Sequence, residues 1–457
     1  MLRDFATYIV QTLRQRGFQA YLVGGCVRDL LLGREPKDYD VATNATPEQV
    51  MSIFPDAYAV GAQFGVVLVP APQEKIDVAS NVSTEGCSHP RTVEVATFRS
   101  DIGYSDGRHP DEVRFSQDPR EDVARRDFTI NGMLLDPGVG EIMAGDVLDF
   151  VGGRRDLAAG IIRTIGEPEH RFAEDKLRML RAVRFAARFD YRIESATFAA
   201  MQKLAEQIRV VSRERVRDEL TRMLTEGHAR RALLLLDESG LLKEVLPEIS
   251  AMKGVAQPPE FHPEGDVFVH TLLLLENLPH PCPLTLAWGA LLHDVGKPPT
   301  FRVVERIRFD NHVEVGVKMA EEICQRLRFS GDDTEQILAL VANHMRFSHA
   351  MRMSQSTLKR FLRLRAFDEH LALHRADCLA SHGSLSTYEF VRQKMAEIPP
   401  GNIKPAPLVT GDDLIAAGLT PGPKFREILN AVEDAQLEGR LSSRDAALEF
   451  VRREFPA

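Results

Sequence analysis

The pattern of apolar and polar positions divides the chain into a mixed first part and a helical remainder. Apolar residues recur at helical spacing over 6–17, and Gly17 closes the run. An apolar stretch at 19–23 predicts a strand, Gly24-Gly25 a turn, and Val27 to Leu32 a helix. Asp38 to Ala42, Gly65 to Pro70 and the alternating Val93 to Phe98 predict three more strands. These elements make a small α/β domain ending near residue 150. From 153 onward the helical period dominates. Leu177 to Ala187 places apolar residues at helical spacing with arginines between them, and 194–248 continues with further helices. The Pro/Gly-rich segment 254–265 predicts a boundary, helices resume to 395, and 398–407 reads as a second linker. The tail, 408–457, reads as two or three short helices. No internal repeat or long low-complexity tract appears.

Composition adds bounds. A chain of 457 residues exceeds what one hydrophobic core usually supports, so two to four domains are expected. With 44% apolar and 27% charged residues it has an ordinary globular balance. The net charge of −9 gives no global attraction to nucleic acid, so contacts to RNA must come from local basic surfaces. Residues 171–192 supply one, with seven Lys/Arg against three Asp/Glu, and Arg213, Arg215, Arg217 and Arg222 extend it. Cysteines at 26, 87, 282, 324 and 378 form no CxxC pair and read as reduced thiols of a cytoplasmic protein. The start, Met1-Leu2-Arg3-Asp4, lacks the form of a signal peptide. No apolar run approaches the roughly 20 residues that cross a bilayer, so no membrane partner is expected.

The first chemical signal is Gly24-Gly25-Cys26-Val27-Arg28-Asp29 followed by Asp38-Tyr39-Asp40. Positions i and i+2 of a strand face the same side, so Asp38 and Asp40 present two hard oxygen donors together. That set suits Mg²⁺ shared with substrate phosphates, as phosphoryl transfer requires. Gly24 and Gly25 let backbone amides approach a phosphate, the following helix adds its positive end, and Arg28 is placed to clamp. Glu94 is the candidate third carboxylate. Against this stands the plainer reading of a turn with a solvated Asp pair.

The second signal is Arg125-Arg126-Asp127-Phe128-Thr129-Ile130-Asn131, then Glu174-Asp175-Lys176-Leu177-Arg178 with Arg181, Arg184 and Arg188. Glu174-Asp175-Lys176-Leu177-Arg178 opens a helix, on which 175 and 178 are i, i+3 neighbours. A carboxylate and a guanidinium on one face can read the edge of a base. An intrahelical ion pair is the plainer alternative.

Taken in order, these motifs resemble the class II tRNA nucleotidyltransferase and bacterial poly(A) polymerase family, over residues 18–245. The resemblance implies an α+β fold: a polymerase-β-like nucleotidyltransferase head with a small mixed sheet, then an all-α neck. It implies Mg²⁺ on Asp38 and Asp40, ribose and phosphate contacts from Arg125, Arg126 and Asp127, and Asp175 and Arg178 as an amino-acid template for CTP or ATP. The implied activity is template-independent addition of CMP and AMP to the 3′ end of tRNA. Enzymes restricted to A or to CC, a poly(A) polymerase, a phosphohydrolase whose head only delivers tRNA, and a nonenzymatic RNA-binding protein are the alternatives. Asp106-Gly107-Arg108-His109-Pro110-Asp111-Glu112-Val113 resembles the flexible loop of the tRNA enzymes, with His109 where an Arg is usual. Residues 79–92, holding Cys87 and His89, have no family counterpart and read as a disordered surface insertion.

The second half carries His270, the stretch Leu291-Leu292-His293-Asp294-Val295-Gly296-Lys297, and then His312, His344 and Asp377. Imidazole and carboxylate donors together suit a transition metal with open positions, which activates water against a phosphate ester. Packed or surface histidines are the plainer reading of each one alone. The wording resembles the HD phosphohydrolase superfamily. That resemblance implies metal ligation by His270, His293, Asp294 and Asp377, with His312 and His344 as the extra histidines of two-metal variants holding Mn, Fe, Ni or Co. The domain expectation is therefore 1–152 head, 153–250 neck, 251–397 HD-type domain and 398–457 tail. Oligomeric state has no signature in the sequence.

Overall fold

The structure is a computed structural model that describes residues 2–60, 65–72, 92–103, 112–138, 146–260 and 262–456. The chain forms two compact units. One comprises Met1–Met223 with Arg231–Val245, the other Leu224–Arg230 with Leu246–Ala457.

The first unit opens with helix Leu2–Gln15, four residues earlier than the periodicity predicts. It buries Ala6, Ile9, Val10 and Leu13, an i, i+3, i+4, i+7 stripe. Burying each of the larger three contributes on the order of 2 kcal/mol. The strands follow as β1 (Ala20–Val23), β2 (Asp40–Thr43), β3 (Tyr58–Ala59), β4 (Val66–Pro70), β5 (Thr92–Thr97), β6 (Arg99–Ile102), β7 (Glu112–Phe115), β8 (Met133–Leu135) and β9 (Val147–Asp149). Seven of them make one sheet in the order β3-β4-β5-β2-β1-β8-β9, while β6 and β7 pair separately. β2 and β5 run parallel and the other neighbours antiparallel, so the sheet is mixed. Val41, Ala42, Val93 and Val95 are buried between them. The predicted strand at Asp38 starts two residues later, at Asp40. Apart from Thr92, which opens β5, the expected insertion 79–92 lies outside the described residues. So does His109.

Beyond the sheet the first unit is mainly helical, with Pro168–Glu174 and Leu177–Phe189 bracketing Asp175. In the second unit, helices Val267–Glu276, Leu284–Leu292, His312–Arg326, Gly331–Asn343 and Phe367–Ala380 carry the histidine-rich motifs. A phenylalanine cluster of Phe347, Phe361 and Phe367 packs with Leu371 and Val391. The tail has a core of its own around Leu414, Ile428, Val432 and Val451, on helices Gly411–Ala416, Pro423–Leu437 and Arg444–Glu454. Two of these are longer than the short helices expected. The predicted second linker contains a helical turn, Pro400–Ile403. Among the described residues no helix is long and apolar enough to cross a membrane.

Candidate functional sites

The first site lies where β1 turns into helix Gly25–Leu31, beside the start of β2. The parallel register sets Asp40 opposite Glu94, and Asp38 precedes Asp40 by two residues. Tyr39, between the two aspartates, is buried, while Asp38 is exposed and Asp40 half-buried. The expected strand alternation of Asp38 and Asp40 begins only at Asp40, since Asp38 lies outside β2. Burial raises the Asp40 carboxyl to about 6, Glu94 and Asp38 add repulsion, and Arg126 opposes it. The three expected carboxylates thus form one interacting group, the environment that a bound cation relieves.

Gly24 has φ +79°, the left-handed region that favours glycine. A Cβ there would stand 3.4 Å from Arg126 Nη1 and 3.7 Å from Asp40 Oδ2. The turn therefore lets an arginine and a carboxylate converge over bare backbone.

A cavity of about 460 Å³ opens at this place, lined by Gly24, Gly25, Arg28, Asp40, the Arg125–Asp127 motif, Asn131, Asp175, Arg178, Arg181 and Arg184. Its cations are held in place by carboxylates, several of which the sequence reading passed over. Asp122, fully buried on helix Pro119–Ala124, grips Arg125 at 2.6 Å and Arg126 at 2.9 Å. Asp127 accepts from Arg181 at 2.8 Å, Asn131 at 3.0 Å and the Phe128 amide at 2.8 Å. Burial works to raise Asp127, but Arg181 and those hydrogen bonds hold it at about 2. Glu219 takes Arg184 at 2.6 Å. Arg28 is only 4% exposed. It donates to Asp29 at 2.9 Å and to Asn131 at 2.7 Å, and lies over the Phe189 ring at 4.6 Å. Its guanidinium is committed to bracing Asn131, which differs from the free phosphate clamp expected.

The largest difference concerns Asp175 and Arg178. They line one cavity but do not share a helix. Asp175 is extended, between helices Pro168–Glu174 and Leu177–Phe189, and its Oδ1 accepts from the Leu177 amide at 3.1 Å. An aspartate competes for backbone amides just before a helix, and here that competition wins. Arg215 binds its other oxygen at 2.8 Å. Arg178 is fixed by Glu174 at 2.6 Å and by the carbonyls of Arg171 and Arg125 at 3.0 and 2.9 Å.

The second site is confined to the second unit. His293 and His344 stand at the C-terminal ends of helices Leu284–Leu292 and Gly331–Asn343, and His312 opens its helix. Their Nδ1 atoms donate to the carbonyls of Ala290, Val341 and Phe309 at 2.8, 2.7 and 2.9 Å. His270 differs, because its Nδ1 meets Glu264 at 2.6 Å. These bonds leave all four Nε2 atoms turned inward around Asp294. His293 is 3.1 Å from an Asp294 oxygen, His312 and His344 3.8 Å, and His270 4.0 Å. Asp377 lies 3.1 Å from His270 Nε2. The Nε2 atoms of His293, His312 and His344 are buried without a hydrogen-bond partner. Buried imidazole acceptors aimed at one carboxylate are costly unless a cation joins them, so the donor set fits a metal. His270–His293–Asp294 and Asp294–His312–His344 each bring three donors close enough to share an ion, and Asp294 joins the two groups. Burial would raise Asp294, but His293 and Lys297 hold it well below the carboxylate range. Burial lowers His344 to about 4, which keeps it neutral for ligation.

Lys297, Gln257 and Glu264 belong to this site and were not singled out from sequence. Lys297 Nζ is 2.6 Å from Asp294 and 2.6 Å from Gln257 Oε1. Glu264 also accepts from His262 at 2.9 Å.

Residues 20–163 match the poly A polymerase head domain, 190–253 the probable RNA and SrmB-binding site of polymerase A, and 267–380 the HD domain. A CCA-adding enzyme of Geobacillus sp. (strain WCH70) is 31% identical over 95% of this chain and 93% of its own length. That of Lactococcus lactis subsp. lactis (strain IL1403) is 41% identical over 54% of this chain. The match spans 57% of that relative, little more than half its length. The crystal structure of Bacillus stearothermophilus CCA-adding enzyme in complex with CTP is similar at a TM-score of 0.72 and 28% identity, over 98% of both chains.

Proposed function

We propose that this chain, which belongs to the family of CCA-adding enzymes, adds CMP and AMP from CTP and ATP to the 3′ end of tRNA without a nucleic-acid template. The observation that carries this reading is the meeting of Asp38, Asp40 and Glu94 with Arg126 at the Gly24 turn, on one cavity with Asp175 and Arg178. Asp38 and Asp40 would hold Mg²⁺, with Glu94 beside them. When bound, the ion supplies the charge that makes the RNA 3′-hydroxyl a better nucleophile and offsets charge on the phosphates. The 3′-hydroxyl gives its proton to water as its oxygen bonds to the α-phosphorus, the bond from that phosphorus to the α,β-bridging oxygen breaks, and pyrophosphate leaves. Arg125 and Arg126, oriented by Asp122, would hold the triphosphate. Asp127 and Asn131 would hold the ribose. Asp175 would accept from the base amine and Arg178 donate to the ring edge. Arg181 and Arg184 complete the basic wall.

Purified protein with Mg²⁺, labelled CTP or ATP, and tRNAs lacking the last one, two or three nucleotides tests this. Incorporation at all three ends is expected. Incorporation at one end only would assign an A-adding or CC-adding enzyme, and growth on generic RNA a poly(A) polymerase.

The second reading adds to the first. The inward Nε2 atoms around Asp294 support a divalent transition metal, Mn, Fe, Ni or Co, on His270, His293, Asp294, His312, His344 and Asp377, and hydrolysis of phosphate esters there. Metal content and phosphatase activity of wild type against Asp294→Ala test it. The free, buried thiols of Cys26, Cys282, Cys324 and Cys378 support a reducing, cytoplasmic setting.

A further inference from the structure

A cavity of about 720 Å³ lies in the second unit, between Pro258, Pro259 and Glu260 on one side and the hairpin Phe301–Val303/Ile307–Phe309 on the other. The hairpin side presents Arg306, Arg308 and Phe309. Both walls are tied to the histidine cluster. Gln257, next to Pro258, accepts from Lys297, and Lys297 Nζ is 2.6 Å from Asp294. The same ammonium stands 5.4 Å from the centroid of the Phe309 ring, and the Phe309 carbonyl accepts from His312 at 2.9 Å. Phe309 of the cavity wall thus meets His312 directly, and Lys297 alone stands between Phe309 and Asp294.

The lining has a definite chemistry. Arg306 and Arg308 are exposed, and neither has an ion-pair partner among the described residues. Guanidinium forks of this kind match phosphate oxygens. Phe309 and the two prolines give flat apolar surface for a base, extended by Phe301, whose ring centroid is 5.9 Å from that of Phe309. Glu260 and Asp310 also face the cavity. They accept from amino groups and hydroxyls but repel phosphate, which confines the phosphate to the arginine side.

We propose that this cavity is the recognition subsite of the second centre and takes a nucleotide, with its base against Phe309 and its phosphate on Arg306 and Arg308. The inference rests on the phosphohydrolase reading of that centre. A free mononucleotide and the last nucleotide of an RNA share this chemistry.

The test uses the full Mn²⁺-loaded chain with and without the double change Arg306→Ala, Arg308→Ala. Calorimetric binding of adenosine 3′-monophosphate is measured in an Arg178→Ala background, which weakens nucleotide binding in the head. The double change is expected to weaken binding by about tenfold, the scale of a lost charged hydrogen bond. CMP incorporation, measured without the background change, stays as in wild type. Equal losses on the mononucleotide and on an oligonucleotide with a 3′-phosphate show that the nucleotide alone is read. A loss on the oligonucleotide alone assigns the RNA end. Unchanged binding of both ligands overturns the proposal. Arginine-dependent binding with no hydrolysis of any ester sinks the hydrolytic reading and leaves the subsite standing.

Discussion

Asp40 and Glu94 sit directly across from one another where the parallel strands β2 and β5 begin to pair. Their mutual repulsion helps raise Asp40 to about 6. Glu94→Gln keeps the shape and removes one charge from the group. It is expected to raise the Mg²⁺ concentration needed for half-maximal CMP incorporation by about 10–100-fold. Asp40→Asn is expected to cut kcat by about a thousandfold or more, beyond rescue by Mg²⁺. A magnesium titration of both variants separates the outcomes, and an unaltered curve for Glu94→Gln would remove Glu94 from the site.

Asp122 holds two arginines from a position with no direct view of substrate. Asp122→Asn leaves Arg125 and Arg126 without their counter-charge, at a cost of about 3 kcal/mol for breaking a buried pair. The variant should melt earlier than wild type, and its KM for CTP should rise about tenfold as Arg126 drifts. A normal KM in a destabilised protein would confine Asp122 to folding.

The Asp127–Arg181 pair predicts a pH dependence. Asp127 is held at about 2 against a usual 3.8. A depressed carboxylate stabilises the fold above its unfolded pKa and loses that effect as pH falls through its folded value. The contribution is on the order of 2 kcal/mol, fully present above about pH 4 and gone near pH 2. Thermal unfolding of wild type and Asp127→Asn, followed by circular dichroism at pH 6 and pH 2.5, should show a gap that closes at the lower pH. A gap of constant size would contradict the assignment.

Gly296 fixes the distance between two backbones in the second centre. A Cβ there would lie 2.1 Å from the His312 carbonyl and 2.6 Å from the Gly316 amide. Gly296→Ala must therefore push the His312 helix away from Asp294. The expected result is a loss of tightly bound transition metal by mass spectrometry, with CMP incorporation retained. Full metal content in this variant would show that His312 is not a ligand.

Much of this was legible in the chain because the chemistry is carried by short local spacings. Asp38 and Asp40 flank the buried Tyr39, and their charges act on one another. His293, His312 and His344 come near Asp294 because each stands at a helix end, while His270 reaches it from inside its helix. What the sequence hid were the partners. Asp122 carries a local signal, three and four residues before its arginines, the spacing of one helical turn. Glu219 and Arg215 carry none, since they reach Arg184 and Asp175 from 35 and 40 residues away. Glu264 and Gln257 were concealed by Pro/Gly content that reads as a linker, although the segment packs against the cluster. Composition continues helically across Asp175, and the break shows only in its extended backbone and in the bond from the Leu177 amide.

The fixed orientation of the four imidazoles has a consequence for how the protein is prepared. Each ring gives its Nδ1 to a fixed partner, so the tautomer is chosen before any ion arrives and cannot adjust to suit one. A cage of that kind discriminates weakly between cations of similar size, and the strength of binding then follows the general affinity series of the elements. Batches grown in media enriched in nickel or in manganese should therefore yield the same polypeptide carrying different cargo, and differing in hydrolytic rate while matching in polymerisation.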